Sequence, residues 1–332
     1  MHSLRFLGVC LSLAVLAGMP VWGQSIVSAH SGLIHYIEGQ ASLDGKTIEQ
    51  KSGVFTDVKE KGVLKTDDGR AEVLLTPGSF LRLAENSSVR MISTRLVDTR
   101  LEVLEGSVLV EVAEMSKDNA VTLVYKDATL SLLKAGLYRV DTNPAMVRVY
   151  KGELVAESGS QRVTLKDAKE LNLGGVWAVN KFDNKTGDAF YRWASRRASY
   201  LSMANVSSAR SAGGYGNSFT SSRWLWNPYM SMFTYLPYSG MYYSPFGYNF
   251  YSPQTVYRVY SPSQPVNRGG GYSSGSNNLG YTPMSHSSMG TSGAINSVAS
   301  APSSSSSSAS SGRAISSGSG GGGGATGGGR GR

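Results

Sequence analysis

The side chains able to do chemistry are few in this chain and poorly grouped for it. There are four histidines, His2, His30, His35 and His286. His30 and His35 lack the spacing of helical metal ligands, and no Cys or carboxylate cluster joins them, so no metal ligand is expected. His35 falls in an extended run and is expected at a surface or sheet edge. The lone cysteine, Cys10, lies inside an apolar leader. Gly271-Tyr272-Ser273-Ser274-Gly275 matches the string of a nucleophile elbow, but that device needs a strand-to-helix turn and this match sits in a Gly/Ser tract. Asp67-Asp68 reads as a turn, and Glu102 and Glu105 flank a hairpin. Carboxylates cleave glycosides only when they face each other across a cleft, and these read as solvated strand faces. Asp183-Asn184-Lys185-Thr186-Gly187-Asp188 has the outline of a calcium loop, but Lys185 stands where an oxygen ligand is needed. No catalytic residue, metal or cofactor is therefore expected, and the chain is read as a non-enzyme.

The leader sets the compartment. Arg5 precedes an apolar stretch from Phe6 to Ala17, and Val21-Trp22-Gly23 forms a small-residue exit. The stretch is shorter than the roughly 20 residues a membrane-spanning helix needs, so residues 1–23 are read as a cleaved export signal. Cleavage removes Cys10, leaving neither disulfides nor a thiolate. The mature chain is expected in the periplasm, at the cell surface or secreted, with no transmembrane helix. Charge is uneven: residues 207–332 hold seven arginines and no Asp, Glu or Lys, so they carry +7 of the chain's +9. Such a tail suits anionic partners, and export argues against nucleic acid.

Three copies of one pattern organise the first half: Tyr36-Ile37-Glu38-Gly39-Gln40-Ala41, Val103-Leu104-Glu105-Gly106-Ser107-Val108 and Val149-Tyr150-Lys151-Gly152-Glu153-Leu154. An extended segment that turns on glycine and runs on extended would look like this, because Gly reaches φ > 0 without steric cost. Period-2 runs such as Val108, Val110 and Val112 predict strands with one buried face. Thr76-Pro77-Gly78-Ser79 has the order of a type II turn, and Leu43-Asp44-Gly45-Lys46 and Thr66-Asp67-Asp68-Gly69 also read as turns. Residues 71–83 and 128–140 share a strand, glycine turn, strand outline, which predicts duplicated hairpins. The spacing of the glycine copies is uneven, unlike a regular solenoid.

Next, Phe190, Trp193, Ala194, Leu201 and Ala204 recur near helical spacing, with Thr186 or Asp188 able to cap the start. One short amphipathic helix packed back on the sheet is expected. Beyond Ser207, Tyr243-Ser244-Pro245, Tyr251-Ser252-Pro253 and Tyr260-Ser261-Pro262 recur in a Tyr/Trp-rich stretch able to dock on the β-domain, on itself or on a ligand. Trp224, Trp226, Tyr243, Tyr251, Arg258 and Tyr260 are the candidate interaction residues. The final Gly/Ser tract cannot form a core and is expected to be disordered.

The fold class expected is all-β: packed antiparallel sheets built from repeated hairpin units, followed by one short helix and a disordered low-complexity tail. The boundaries are 1–23 signal, 24–177 β-domain, 178–206 helix segment, 207–268 Tyr/Trp/Pro-rich segment and 269–332 Gly/Ser-rich tail.

Leu64-Lys65-Thr66-Asp67-Asp68-Gly69-Arg70-Ala71-Glu72-Val73-Leu74-Leu75, then Gly78-Ser79-Phe80-Leu81-Arg82-Leu83, form the first two blocks of a longer likeness. Leu104-Glu105-Gly106-Ser107-Val108, Val147-Arg148-Val149-Tyr150-Lys151-Gly152-Glu153-Leu154 and Leu171-Asn172-Leu173-Gly174-Gly175 follow. In that order these blocks resemble the FecR-like periplasmic domain, over roughly residues 32–175. The resemblance implies an all-β extracytoplasmic domain without catalytic residues. Its best-known members relay the state of an outer-membrane TonB-dependent transporter to a cytoplasmic sigma factor. That role needs a cytoplasmic anti-sigma segment and a transmembrane helix, which a chain opening on a cleaved signal is not expected to have. The first expectation is thus a non-catalytic binding or scaffold protein, its partner an envelope protein such as an outer-membrane transporter. The alternatives are a structural or adhesive protein holding cell-wall or matrix polysaccharide through its aromatic-Arg tail, and an accessory in transporter-linked signalling.

Overall fold

The structure is a computed structural model and describes residues 26–27, 30–49, 53–214 and 220–260. The expected export signal and the Gly/Ser tract lie outside the described residues. The strands are β1 (Ile26–Val27), β2 (Leu33–Leu43), β3 (Lys46–Thr47), β4 (Thr56–Asp57), β5 (Val63–Leu74), β6 (Ser79–Leu83) and β7 (Ser88–Arg95). Then come β8 (Asp98–Glu105), β9 (Ser107–Val112), β10 (Val121–Tyr125), β11 (Ala128–Leu132), β12 (Gly136–Thr142) and β13 (Ala145–Lys151). The run ends with β14 (Glu153–Ser158), β15 (Gln161–Lys166), β16 (Lys169–Asn172) and β17 (Val179–Lys181). Helix α1 (Ala189–Gly214) follows, then β18 (Arg223–Asn227), β19 (Met232–Leu236), β20 (Met241–Tyr243), β21 (Asn249–Tyr251) and helix α2 (Pro253–Tyr260).

The chain is mostly β, as the alternation predicts, but its layout is not a stack of separate sheets. One sheet runs β15-β14-β11-β10-β8-β7-β5-β6-β9-β12-β13-β16-β17, with β2 laid on β5 and with β3 and β4 on β2. The sheet curls until β15 comes back beside β16, giving a near-closed, barrel-like form. Its inside is one continuous core running from Leu165 on β15 through Leu101, Val73, Leu81, Val110 and Val140 to Leu171 on β16. Among the described residues all strand pairs are antiparallel except β8 with β10, which is parallel.

The glycine motif marks pivots and not hairpins. Gly106 separates β8 from β9, yet β8 pairs with β7 and β10 while β9 pairs with β6 and β12. Gly152 likewise separates β13, on β12 and β16, from β14, on β11 and β15. At each pivot the chain leaves one ladder for another. Gly39 bends β2 inside a single strand, at a register shift against β5. Their φ values are +78° for Gly39, +79° for Gly106 and +107° for Gly152. Space is as restrictive as angle: a Cβ on Gly106 would lie 2.2 Å from Ser87 Oγ, and one on Gly152 2.2 Å from the Tyr138 hydroxyl.

The turn at Thr76–Ser79 closes as expected, with Ser79 N–H on Thr76 C=O at 2.7 Å and Gly78 at φ +84°. Asp44 and Gly45 form the two-residue β2–β3 turn. Thr66 to Gly69 is a correction: it lies inside β5, paired with β2. The predicted duplication holds for only one copy, since β5 and β6 pair while β11 and β12 do not.

The helix is longer than expected, 26 residues, and continues past Ser207. Asp188 is its N-cap, its carboxylate accepting the Tyr191 N–H at 2.8 Å. Phe190, Trp193, Ala194, Leu201 and Ala204 are all buried, the face expected to pack on the sheet. The Tyr/Trp-rich stretch docks both on the β-domain and on itself, as β18 and β19 with β1 in one small sheet, β20 and β21 in another, and α2. In α2, Ser252 caps the helix and Pro253 takes the first helical position, where its missing N–H costs nothing.

Gly106→Ala is expected to cost roughly 2–4 kcal/mol, combining strain at positive φ with a backbone clash. Gly45→Ala, with open space around its Cβ, is expected to cost only about 1 kcal/mol. Urea unfolding of the two variants checks the difference.

Candidate functional site: a buried ionic seam

Side chains alternate along each strand, so a sheet covered on both faces must bury both sets. In β6 this is complete: Leu81 and Leu83 point into the barrel, while Phe80 and Arg82 point outward under the C-terminal segment. Arg82 is fully buried, as are Glu72 on β5 and Glu111 on β9, and His35 on β2 is nearly so. The outer face therefore carries a row of ionisable groups across β2, β5, β6 and β9. His35 is the correction here: its expected surface position is instead an interior one. Glu72, Arg82 and Glu111 did not stand out in the sequence, because charges at alternate strand positions resemble a wet face, and Arg197 lies in α1 directly after the exposed Arg196.

The groups are tightly paired, although Arg82 Nη2 and Arg197 Nε are buried without a hydrogen-bond partner among the described residues. Arg82 donates from Nε to Glu72 at 2.9 Å and from Nη1 to Glu111 at 2.6 Å. Arg197, from α1, donates to Glu72 at 2.8 Å and lies 3.9 Å over the Tyr36 ring. His35 Nδ1 faces Glu72 at 3.0 Å, while its Nε2 accepts the backbone N–H of Phe233 at 2.9 Å. An imidazole that donates from Nδ1 and accepts at Nε2 is neutral. Ser244 of the first Tyr-Ser-Pro copy donates its hydroxyl to Glu111. One sheet face thus holds α1, β19 and the segment after β20 through its buried charges.

The electrostatics follow from this contact set. Burial alone would raise the Glu72 carboxyl, but Arg197 and Arg82, with the His35 hydrogen bond, hold it well below the usual carboxylate range. Burial lowers His35 from its ordinary 6.5, against the pull of Glu72. Burial opposes the charge on Arg82, yet Glu111 and Glu72 keep it raised. Further ties flank the seam: Trp193 Nε1 donates to Glu38 at 2.8 Å, Arg139 binds Asp188 at 2.6 Å, and the Tyr235 hydroxyl bonds Glu114. Trp224 Nε1 points to the Leu75 carbonyl at 3.3 Å.

The candidate interaction residues divide between inside and outside. Trp224 and Tyr251 are buried and Trp226 is half-buried against Phe55 and Phe233. Tyr243, Arg258 and Tyr260 are exposed. Among the described residues no group of three or more His, Cys, Asp or Glu side chains could hold a metal, and no helix is long and apolar enough to cross a membrane. A cleft of about 400 Å³ beside Pro77, Glu114, Asp118 and Tyr238 lies at the edge of this layer.

A curled β-sheet with glycine pivots, carrying its own C-terminal cover, is the class of protein defined here. Residues 62–166 match the family model described as FecR protein, so the chain carries a FecR domain at the centre of this sheet. A search of curated proteins gives no match. Two crystal structures of a "putative anti-sigma factor" from Parabacteroides distasonis, at 2.50 and 1.65 Å resolution, are similar at 15% and 14% identity, each with a TM-score of 0.33. Each likeness covers 37% of this chain and 61% of the other, so the chain spans under two thirds of their length.

Two outcomes are expected. Glu72→Gln leaves Arg82 and Arg197 buried without their shared counter-charge and costs about 3–5 kcal/mol in thermal or urea unfolding. The unfolded chain binds a proton on His35 near pH 6.5 and the folded chain resists it, so stability is fully present above 6.5 and falls as pH drops below it. Glu72 adds a second loss below pH 4.5. Unfolding midpoints measured against pH should show both steps, and His35→Gln should flatten the first.

Proposed function

We propose that this is an exported, non-catalytic binding or scaffold protein of the cell envelope, built on a FecR domain and closed by its own C-terminal layer. The observation that carries the reading is the seam. Its ionisable groups bring acid, imidazole and guanidinium within hydrogen-bond reach of one another, as a reactive site would, and they are sealed from solvent. Groups that no substrate reaches hold the fold together.

A partner must then use what remains free. Val54, Val97, Leu133 and Val176 lie in connections between strands, and Val176 is 88% exposed. Apolar side chains at such tips suit a protein partner in the envelope, for instance an outer-membrane transporter. The free tips, and not the covered sheet face, are the contact region in this reading.

The test is crosslinking in living cells of the tagged full chain beside a Val97→Asp/Leu133→Asp/Val176→Asp variant, with captured proteins identified by mass spectrometry. One envelope protein captured by the parent and lost in the variant is expected, with unchanged thermal unfolding. Equal capture by both would refute the assignment of the tips. Ending the chain at Ser207 is not a neutral control, because it removes Phe233 and Ser244 from the seam; that chain is expected to aggregate.

A further inference from the structure

We infer that the outward face of α1 is a docking surface for a linear acidic polysaccharide. Arg192, Arg196, Tyr200, Met203 and Arg210 are all exposed. Their spacing of three, four and seven residues places them on one stripe of the helix. From Arg192 to Arg210 the stripe runs roughly 27 Å at 1.5 Å per residue.

The arginines of this stripe lack the carboxylate partner that most arginines of the sheet have. On the sheet, Arg70, Arg90, Arg100, Arg139 and Arg148 each hold a carboxylate. Arg196 and Arg210 form no ion pair among the described residues, and Arg210 lies 5.0 Å over the Tyr260 ring. Arg192 donates to the Gly187 carbonyl at 2.6 Å, and the nearby Asp188 carboxylate is already bound by Arg139. The cause lies in the sequence: from Ala189 to the last residue there is no Asp or Glu. An unpaired guanidinium offers a planar fork to a carboxylate, and a row of them suits a chain that presents carboxylates repeatedly. Tyr200, 45% exposed between the arginines, offers a ring face to a sugar.

Two other occupants fit less well. A lipid surface needs an apolar helix face to bury, and Phe190, Trp193 and Leu201 are already buried on the protein side. An acidic peptide would use the arginines and leave the Tyr200 ring idle. The inference stands apart from the protein partner proposed above, since none of the strand connections takes part.

The probe is sodium alginate, a linear polyuronate, with dextran, phosphatidylglycerol vesicles and poly-glutamate as comparisons, titrated against the full-length protein at several salt concentrations. The parent is expected to bind alginate with strong salt dependence and to ignore dextran. Arg192→Gln/Arg196→Gln/Arg210→Gln should weaken binding at least tenfold, and Tyr200→Ala several-fold at unchanged charge. Arg196→Gln alone, exposed and unpaired, should still lose affinity and guards against a folding defect in the triple variant. No alginate binding by the parent, or undiminished binding by the triple variant, overturns the inference; the latter would assign binding to basic residues outside α1. Vesicles or poly-glutamate bound as tightly as alginate would also overturn it, as charge attraction alone.

Discussion

The fold depends on one carboxylate that water never reaches. Glu72 is wholly buried, and an unpaired charge there would cost several kcal/mol or force the group to take up a proton. It stays charged because two guanidiniums converge on it, Arg82 from the neighbouring strand and Arg197 from α1. The first comes with the sheet; the second arrives only when the helix docks. Sheet and cover are therefore not two parts in contact, since the sheet's electrostatics are completed by the cover. His35 extends the same logic to β19, because its neutral form is the one able to donate to Glu72 and accept from Phe233. Proton, helix and strand are coupled through groups within hydrogen-bond reach of one another.

A second constraint sets where those groups stand. Adjacent strands along the chain often belong to distant ladders, and each switch needs a sharp change of direction in little space. At Gly106 and Gly152 both the positive φ and the neighbouring atoms exclude a side chain. The Tyr138 hydroxyl, packed where a Cβ on Gly152 would go, donates to the Lys134 carbonyl at 2.6 Å and accepts from the Glu153 N–H at 3.1 Å, so it fastens the strand that leaves the pivot. The turn at Gly78 pairs β5 with β6, and the Gly106 pivot lets β9 lie beside β6, which lines up Glu72, Arg82 and Glu111.

Much of this was legible in the residues. The glycine motif, the type II turn at Gly78, the Asp188 cap and the buried face of α1 all follow from local rules, and local rules are what a sequence displays. The pivots at Gly106 and Gly152 escape a local reading, because a strand bending on glycine looks the same whether it pairs with its predecessor or departs. The seam was hidden for a different reason. Period-2 alternation separates two faces but does not say that the second is dry, and only a cover elsewhere in the chain makes it so. A signal was nonetheless present: Leu74, Phe80 and Leu109 share the outward face with Glu72, Arg82 and Glu111, an apolar share too high for open water. The Tyr/Trp-rich stretch gave no periodicity, because its short strands and caps are fixed by contacts with the sheet. Trp224 illustrates this, its ring against Phe80 and its N–H on Leu75.

The distribution of charge connects the interior to the surface. The cover contributes arginines but no carboxylate, so every ion pair it makes must borrow an acid from the residues before it. Arg197 does so inside, taking Glu72. The residue just before Arg197, Arg196, lies on the exposed side of the same helix and forms no ion pair among the described residues. A segment of this composition can be neutralised on one face only, the face laid on the FecR sheet. The composition that locks the cover down also leaves its outer side cationic, so one deficit of acids sets both the pairing inside and the charge outside.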